Sequence, residues 1–520
     1  MSFVPYLQSP PTHTQTGSAP TSASPSTFDV TDDAAHKAAP VTSLGDPYGP
    51  RRWASNLVQL PGKNRALNEF SVERIGESVE NNLVMLHGYG AGLGFYYKNF
   101  EALSREPGWK LYALDLLGMG RSSRPPFRIN AKDREGKIKE AENWFIDALE
   151  EWRIARKIER FTLLGHSLGG YMAVAYALKY PGRLNKLILA SPVGIPEDPY
   201  AVNDALPEPG DAGLANEFLQ SQDEAINGPP PGVRADNNNF LNARSKREAA
   251  AAAGSSGSSE SKDGTSTPPK QRPYPKWLVT LWDANISPFS LVRWTGPLGP
   301  RLVSGWTSRR FSHLPEGEAQ ALHDYSYSLF RQRGSGEYAL AYVLAPGAFA
   351  RSPLIRRIQG VGRQWLQPHA TPTSDVPQLP EVSSPQAGCF RSSPSSSNTT
   401  VTTPAVAPVV EPALDASGRE GPPRKRETGI PIVFMYGDND WMDVAGGYAA
   451  EHKINETRAR LLKEASVEEK AAENGSAKVV IIQKAGHHVY LDGWEQFNEV
   501  MLEEMKDTGK WVKKNKEGKA

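Results

Sequence analysis

Phe161-Thr162-Leu163-Leu164-Gly165-His166-Ser167-Leu168-Gly169-Gly170 joins a short apolar run to a glycine-rich turn, and the turn to a helical pattern over 169–180. Gly165 to Gly169 has the form G-x-S-x-G. Small residues on both sides let the chain reverse sharply, so that Ser167 stands above a strand end with its backbone at a helix N-terminus. On its own the pentapeptide is equally a strand-to-helix turn without chemistry. Its surroundings decide.

Upstream, Leu83 to Leu86 ends in His87-Gly88-Tyr89-Gly90-Ala91-Gly92, and Leu111 to Asp115 leads into Gly118-Met119-Gly120-Arg121-Ser122. Downstream come apolar runs at 186–190, 430–435 and 478–483. Helical spacing appears at 136–159, with Trp144, Ala148, Trp152 and Ala155 three and four residues apart, and a charged helical stretch covers 450–472. Two strand-like pieces, 55–60 and 69–74, flank a Pro-Gly turn and read as a leading hairpin. Brief apolar runs alternating with helices predict an α/β fold: a mostly parallel sheet buried on both faces, helices on each side, and a helical lid inserted after the sixth strand.

Composition divides the chain further. Residues 1–50 read as a disordered N-terminal segment, 51–195 as the first part of the core and 196–366 as the lid, with a low-complexity insertion at 228–274. Residues 367–428 are rich in Pro, Ser, Thr and Val and poor in aromatics, too little apolar surface to offset ordering entropy, so a disordered loop is expected. The core resumes at 429–506 and a basic tail closes the chain at 507–520. Setting aside the stretches 1–50, 228–274 and 367–427 leaves 362 residues, which suits one elaborated domain rather than three.

Lys+Arg 59 against Asp+Glu 58 gives a net charge of +1, so the overall balance does not favour nucleic acid. The single cysteine, Cys389, permits neither an intrachain disulfide nor a thiolate metal site and suits a reducing compartment. No apolar run approaches the ~18 residues of a membrane span. The first fifty residues hold no Arg, one Lys and four Asp, unlike a secretory signal and a poor match to a transit peptide.

A serine hydroxyl becomes a nucleophile when a base removes its proton and an acid orients that base. In this strand-turn-helix setting the chain order is Ser, then Asp or Glu, then His. Tyr436-Gly437-Asp438-Asn439-Asp440-Trp441-Met442-Asp443 and then Ala485-Gly486-His487-His488-Val489-Tyr490-Leu491-Asp492 follow successive strands in that order. His487 is read as the base and His488 as its packed or solvent-facing neighbour. Asp440 leads as the acid, Asp443 is the alternative, and Asp438 fits a turn-fixing role. Two backbone amides, those of Tyr89 and Leu168, are placed to hold a developing oxyanion.

His487-x-x-x-x-Asp492 has been associated with acyl transfer to lysolipids. Asp492-Gly493-Trp494-Glu495 also reads, and more readily, as a capping box opening a helix. The lid is rich in tryptophan, which favours membrane interfaces and cores alike. For lipid contact the expected residues are Trp277, Trp282 and Phe289.

Together these motifs resemble the alpha/beta-hydrolase superfamily over roughly 50–200 and 429–505. Ser191-Pro192-Val193-Gly194, Arg333-Gly334-Ser335-Gly336-Glu337, Trp441-Met442-Asp443 and the segment from His487 to Asp492 resemble its lipid-acting branch, which contains the fungal cardiolipin-specific phospholipase and the animal abhydrolase-domain lysophospholipid enzymes. The resemblance implies acyl-ester chemistry on phospholipids, including deacylation of cardiolipin, and in some members acylation of lysophosphatidate, at a membrane in the mitochondrion, the cytosol or the lipid-droplet surface. Some relatives lack the elbow serine and act as lipase coactivators, whereas Ser167 is present here. In some members the acid aligns nearer Asp443. The expectation is therefore a serine-dependent phospholipid hydrolase needing no metal or organic cofactor, with a phospholipid substrate and peripheral membrane contact. Its rivals are an acyltransferase, a lipid-surface coactivator and a soluble peptidase.

Overall fold

A computed structural model describes residues 48–197, 282, 285, 287–345, 348–366 and 426–517. Trp277, the insertion 228–274, residues 1–47 and most of 367–428 lie outside the described residues.

Eight strands form one sheet in the order β1-β2-β4-β3-β5-β6-β7-β8. They are β1 Arg51–Gln59, β2 Ala66–Arg74, β3 Asn81–Leu86, β4 Trp109–Leu114, β5 Phe161–His166, β6 Leu184–Ala190, β7 Pro431–Gly437 and β8 Ser476–Ile482. The leading hairpin is longer than expected because β1 pairs with β2 without a break from Arg51↔Arg74 to Gln59↔Ala66. β2 runs antiparallel to β4, and every later pairing is parallel.

Alternation along the parallel strands feeds two cores. Val84, Leu86 and Leu163 point to one face, while Leu83, Met85 and Leu164 point to the other. The first face is covered by α1 Arg134–Ala155 and α2 Leu168–Lys179, whose Phe145, Trp152, Tyr171 and Tyr176 are buried there. The second face is covered largely by the closing helix Trp494–Glu517, through Phe497, Met501 and Met505. Asp133 caps α1 by accepting the Gly136 N–H, and Lys157, at φ +55°, bars continuation of the helix toward 159.

The chain leaves the sheet after β6 and returns as β7, its immediate neighbour. Between them lie α3 Pro288–Trp294, α4 Gly299–Arg310 and α5 Glu316–Phe330, with a small core of Phe289, Val292, Val303, Trp306, Leu329 and Phe330. After β7 comes α6 Val444–Glu464. The expected stretch 450–472 is thus two helices, because Ser466 and Glu469 form a capping box that restarts the chain at Val467–Ala472. The basic tail expected at 507–520 is helical as far as Glu517. α7, Trp494–Glu517, continues through it because Thr508 is buried and Arg160 sits over the Trp511 ring. Among the described residues no helix is long and apolar enough to cross a membrane.

Residues 364–427 form a separate unit, of which only 364–366 and 426–427 are described.

Candidate active site

The turn between β5 and α2 leaves no room for side chains at its glycines. A Cβ on Gly165 would lie 2.3 Å from the Gly169 carbonyl oxygen, and one on Gly169 would lie 2.6 Å from the Leu86 carbonyl oxygen. Helix α2 can therefore start directly behind the strand, against the end of β3. Ser167 takes φ +52° and ψ −117°, a conformation costing of order 1–3 kcal/mol for a residue with a Cβ. The surrounding backbone holds it there: its N–H donates to the Ala190 carbonyl at 3.0 Å, and its own carbonyl accepts from Gly170 and Tyr171. The sequence expectation of a strained turn matches this geometry.

On the other side of the sheet's carboxyl edge, β7 and β8 end in two loops tied to each other. Asp438 accepts the Ala485 N–H at 3.0 Å, which is its expected turn-fixing role. Asp440 then lies 3.2 Å from Nδ1 of His487 and accepts the Met442 N–H at 3.0 Å. Asp443 turns away: it caps α6 by accepting the Ala445 N–H and is exposed. Of the two candidate acids, the structure brings Asp440 to the imidazole. Burial alone would raise the Asp440 carboxyl pKa, but the His487 charge and hydrogen bond, together with the Ser191 hydroxyl and the Met442 N–H, leave the pKa below the ordinary value.

Ser167 is 1% exposed and His487 3%. Among the described residues Ser167 Oγ and His487 Nε2 have no hydrogen-bond partner, although both are buried. Buried polar atoms without partners are rare and call for a reason, and reactive groups are one. Catalytic hydrogen bonds are often loose until substrate arrives. Two amides nearby are also free: among the described residues no acceptor meets the Tyr89 or the Leu168 N–H.

His166, next to the serine, went unremarked in the sequence reading. Its Nε2 lies 2.9 Å from the His487 carbonyl oxygen, and the two rings are 4.8 Å apart. Burial first, then the neighbouring His487, keep His166 neutral, well below the ordinary histidine range. It links the serine turn to the histidine loop across 321 residues, a pairing no local pattern could reveal. His87 uses both nitrogens on backbone: Nδ1–H donates to Gly88 at 2.7 Å and Nε2 accepts from Leu116 at 3.1 Å. It shapes the loop that carries Tyr89.

Asp492 is placed differently from either sequence reading. It ends the short helix Val489–Asp492, and its carboxylate accepts the Gly486 N–H at 3.1 Å and meets Nε2 of His313, from the α4–α5 turn, at 3.1 Å. It neither caps α7 nor pairs with the His487 ring, because Asp440 already occupies Nδ1. His488 packs inside, 3.3 Å from Arg310 Nη2. Both lid contacts thus land on the segment that carries His487.

Against the loop that carries Tyr89 and Gly90 the lid presents an aromatic stack. Phe289 lies between Tyr89, at 4.8 Å, and Phe330, at 4.5 Å between centroids. Phe289 is 8% exposed, which corrects its expected place at a lipid surface: stacking draws it inward. Trp282 is also turned in, its indole N–H donating to the Leu344 carbonyl at 3.0 Å. The Arg333-to-Glu337 segment positions the lid, because the Gly336 N–H donates to the Gly118 carbonyl and a Cβ on Gly118 would lie 2.3 Å from the Gly336 nitrogen. A larger cavity opens at the amino-terminal ends of β6 to β8, away from Ser167. Two of its lysines, Lys186 and Lys478, are already paired with Glu504.

The described residues contain no cluster of side chains suited to a metal ion. The geometry can support attack by a hydroxyl, proton transfer through an oriented imidazole, and binding of an oxyanion by two amides.

A sequence family described as the alpha/beta hydrolase fold matches residues 81–220. A 1-acylglycerol-3-phosphate O-acyltransferase of Arabidopsis thaliana is 34% identical over 318 residues, 60% of this chain and 59% of that protein. The 1-acylglycerol-3-phosphate O-acyltransferase ABHD5 of Mus musculus is 30% identical over 60% of this chain and 68% of its own length. A (lyso)-N-acylphosphatidylethanolamine lipase of Homo sapiens is 29% identical over 59% of this chain and 68% of its own length.

Proposed function

This chain belongs to the lipid-acting branch of the alpha/beta-hydrolase family, and from that premise we propose that it is a serine-dependent acyl-ester hydrolase acting on phospholipids. Ser167 Oγ attacks the ester carbonyl while His487 takes its proton through Nε2. Asp440 holds Nδ1–H and stabilises the imidazolium, and the Tyr89 and Leu168 amides bind the tetrahedral oxyanion. Collapse of that intermediate breaks the ester bond, and the lysophospholipid leaves with the proton from His487. Water, activated by the same imidazole, then releases the fatty acid.

One observation carries the reading: a buried serine held at positive φ with an unpartnered hydroxyl, at the same sheet edge as an imidazole already oriented by a carboxylate. A second reading rests on the acyltransferase names of two of the relatives above: a lysophospholipid hydroxyl, rather than water, takes the acyl group from Ser167. Its donor can be a phospholipid or an acyl-CoA.

Incubating the full chain with a mixed phospholipid extract, with and without acyl-CoA, and following acyl loss and gain by mass spectrometry tests both readings. Hydrolysis yields lysolipid and free fatty acid; transfer yields a newly acylated lipid from added lysophosphatidate. Ser167→Ala should abolish either. Full turnover by that variant would remove Ser167 from the mechanism, absence of turnover by the wild type with stimulation of a lipase unchanged in Ser167→Ala would leave only a coactivator role, and cleavage of peptides in place of lipids would turn the reading toward a peptidase.

A further inference from the structure

Helix α3 faces two ways. Phe289, near its start, closes the aromatic stack over Tyr89, while Trp294, its last residue, is 71% exposed. Five residues at about 100° each put the two rings roughly 140° apart around the axis, so they cannot share a face. Leu298, 55% exposed, follows in the 3-10 turn Gly296–Leu298 that leads into α4. Gly296, at φ +52° with open space around it, lets the chain reverse there. The result is a protruding apolar tip on the lid.

Cations surround that tip. The Arg293 guanidinium is bound to Glu337 and donates to the Gln332 carbonyl at 3.2 Å, which fastens the turn after α5 to the end of α3. Arg331 and Arg333, on either side of Gln332, are exposed, and Arg301 lies in the first turn of α4. Among the described residues these three make no ion pair.

We propose that this end of the lid docks on an anionic phospholipid bilayer, with Trp294 and Leu298 entering the interface and Arg301, Arg331 and Arg333 meeting lipid phosphates. The inference rests on the lipid-acting reading above and adds the surface through which it operates. A specific protein partner would need about 1,000 Å² of complementary interface, more than two apolar side chains on one turn can supply. An indole and a leucine flanked by arginines need no shaped partner at a lipid headgroup layer. Docking also bears on access. α3 holds Phe289 over Tyr89, so a lipid surface that binds Trp294 more tightly with α3 lifted shifts the lid toward opening over Ser167.

The test is co-sedimentation of the full chain with vesicles of phosphatidylcholine alone and of phosphatidylcholine with phosphatidylglycerol. The wild type should bind the anionic vesicles. Trp294→Ser combined with Leu298→Ser should weaken binding at least tenfold with an unchanged melting temperature, and Arg331→Glu with Arg333→Glu should remove the preference for anionic lipid. Brominated lipid should quench tryptophan fluorescence, and Trp294→Phe should remove most of that quenching. Wild-type-level binding by the Trp294/Leu298 double variant, or no vesicle binding by the wild type, overturns the docking surface. Turnover of detergent-dispersed phospholipid separates the two claims. If it persists while the substitutions leave vesicle binding intact, the surface is wrong and the enzyme stands; if no lipid is turned over in any form yet the substitutions abolish vesicle binding, the enzyme is wrong and the surface stands.

Discussion

The serine turn and the lid above it are built on opposite terms. Every residue from Phe161 to Ala177 is buried, and the glycines of that stretch leave no space for even a methyl group. Among the described residues the lid has a small cluster of its own, six residues, beside Phe311, Leu314, Ala319 and Leu322, which join the core of the sheet's second face, and it sends large apolar side chains both inward and outward. The reacting groups thus sit on elements that cannot shift without breaking the sheet, whereas α3, which holds Phe289 over Tyr89, rests on a small cluster separate from the two cores of the sheet. Rigid scaffolds serve precise chemistry, and marginally held elements serve opening.

The largest effects should come from the rigid region. Ser167→Ala should lower turnover on the order of 10⁶-fold, because the hydroxyl and its base act as a unit. Asp440→Asn should cost on the order of 10⁴-fold by misorienting the imidazole. Steady-state kinetics on a phospholipid ester would read both, and near-wild-type turnover by Asp440→Asn would show that another group orients His487.

Glycine substitutions compare the two regions through stability. Gly165→Ala drives a methyl group into the Gly169 carbonyl and should destabilise by about 3 kcal/mol. Gly296→Ala meets open space and bears only its positive φ, about 1 kcal/mol. Urea denaturation measures each, and equal effects would erase the contrast.

Acid should loosen the lid through His323. It is buried between α4 and α5, its Nδ1 lies 2.7 Å from the Thr307 hydroxyl, and burial pulls its pKa from 6.5 down to about 4. The folded form therefore binds fewer protons than the unfolded chain. The associated stability, roughly 3 kcal/mol, is complete above pH 6.5 and lost as pH falls toward 4. His323→Gln should flatten that part of the stability-against-pH curve; an unaltered slope would assign the acid sensitivity elsewhere. The smallest effect is expected from Asp443→Ala, which removes a helix cap worth about 1 kcal/mol and should leave turnover within about twofold.

Much of the site was legible because its signals are local. The run from Phe161 to Gly170 contains in itself the strand, the crowded turn and the helix start, and the histidine loop follows β8 with the expected spacing. The helix ends were less legible: Lys157 in a left-handed conformation and the capping box at Ser466 interrupt patterns whose periodicity runs on. The choice between Asp440 and Asp443 was legible only in part: spacing after the strand put Asp440 ahead, as the structure has it, but left Asp443 open. Both follow β7, and only the path of two loops decides which meets an imidazole 47 residues later.

Sequence by itself determined the order and kind of the chemical groups, and a sheet to carry them, because period-two and helical patterns are properties of neighbouring residues. Tertiary structure decided that Asp440 and not Asp443 faces His487, that Asp492 grips Gly486 and His313, and that Phe289 turns inward while Trp294 turns out. These outcomes depend on which surfaces meet when distant segments pack. An aromatic or a carboxylate carries no mark of its partner until the fold brings that partner within a few ångströms.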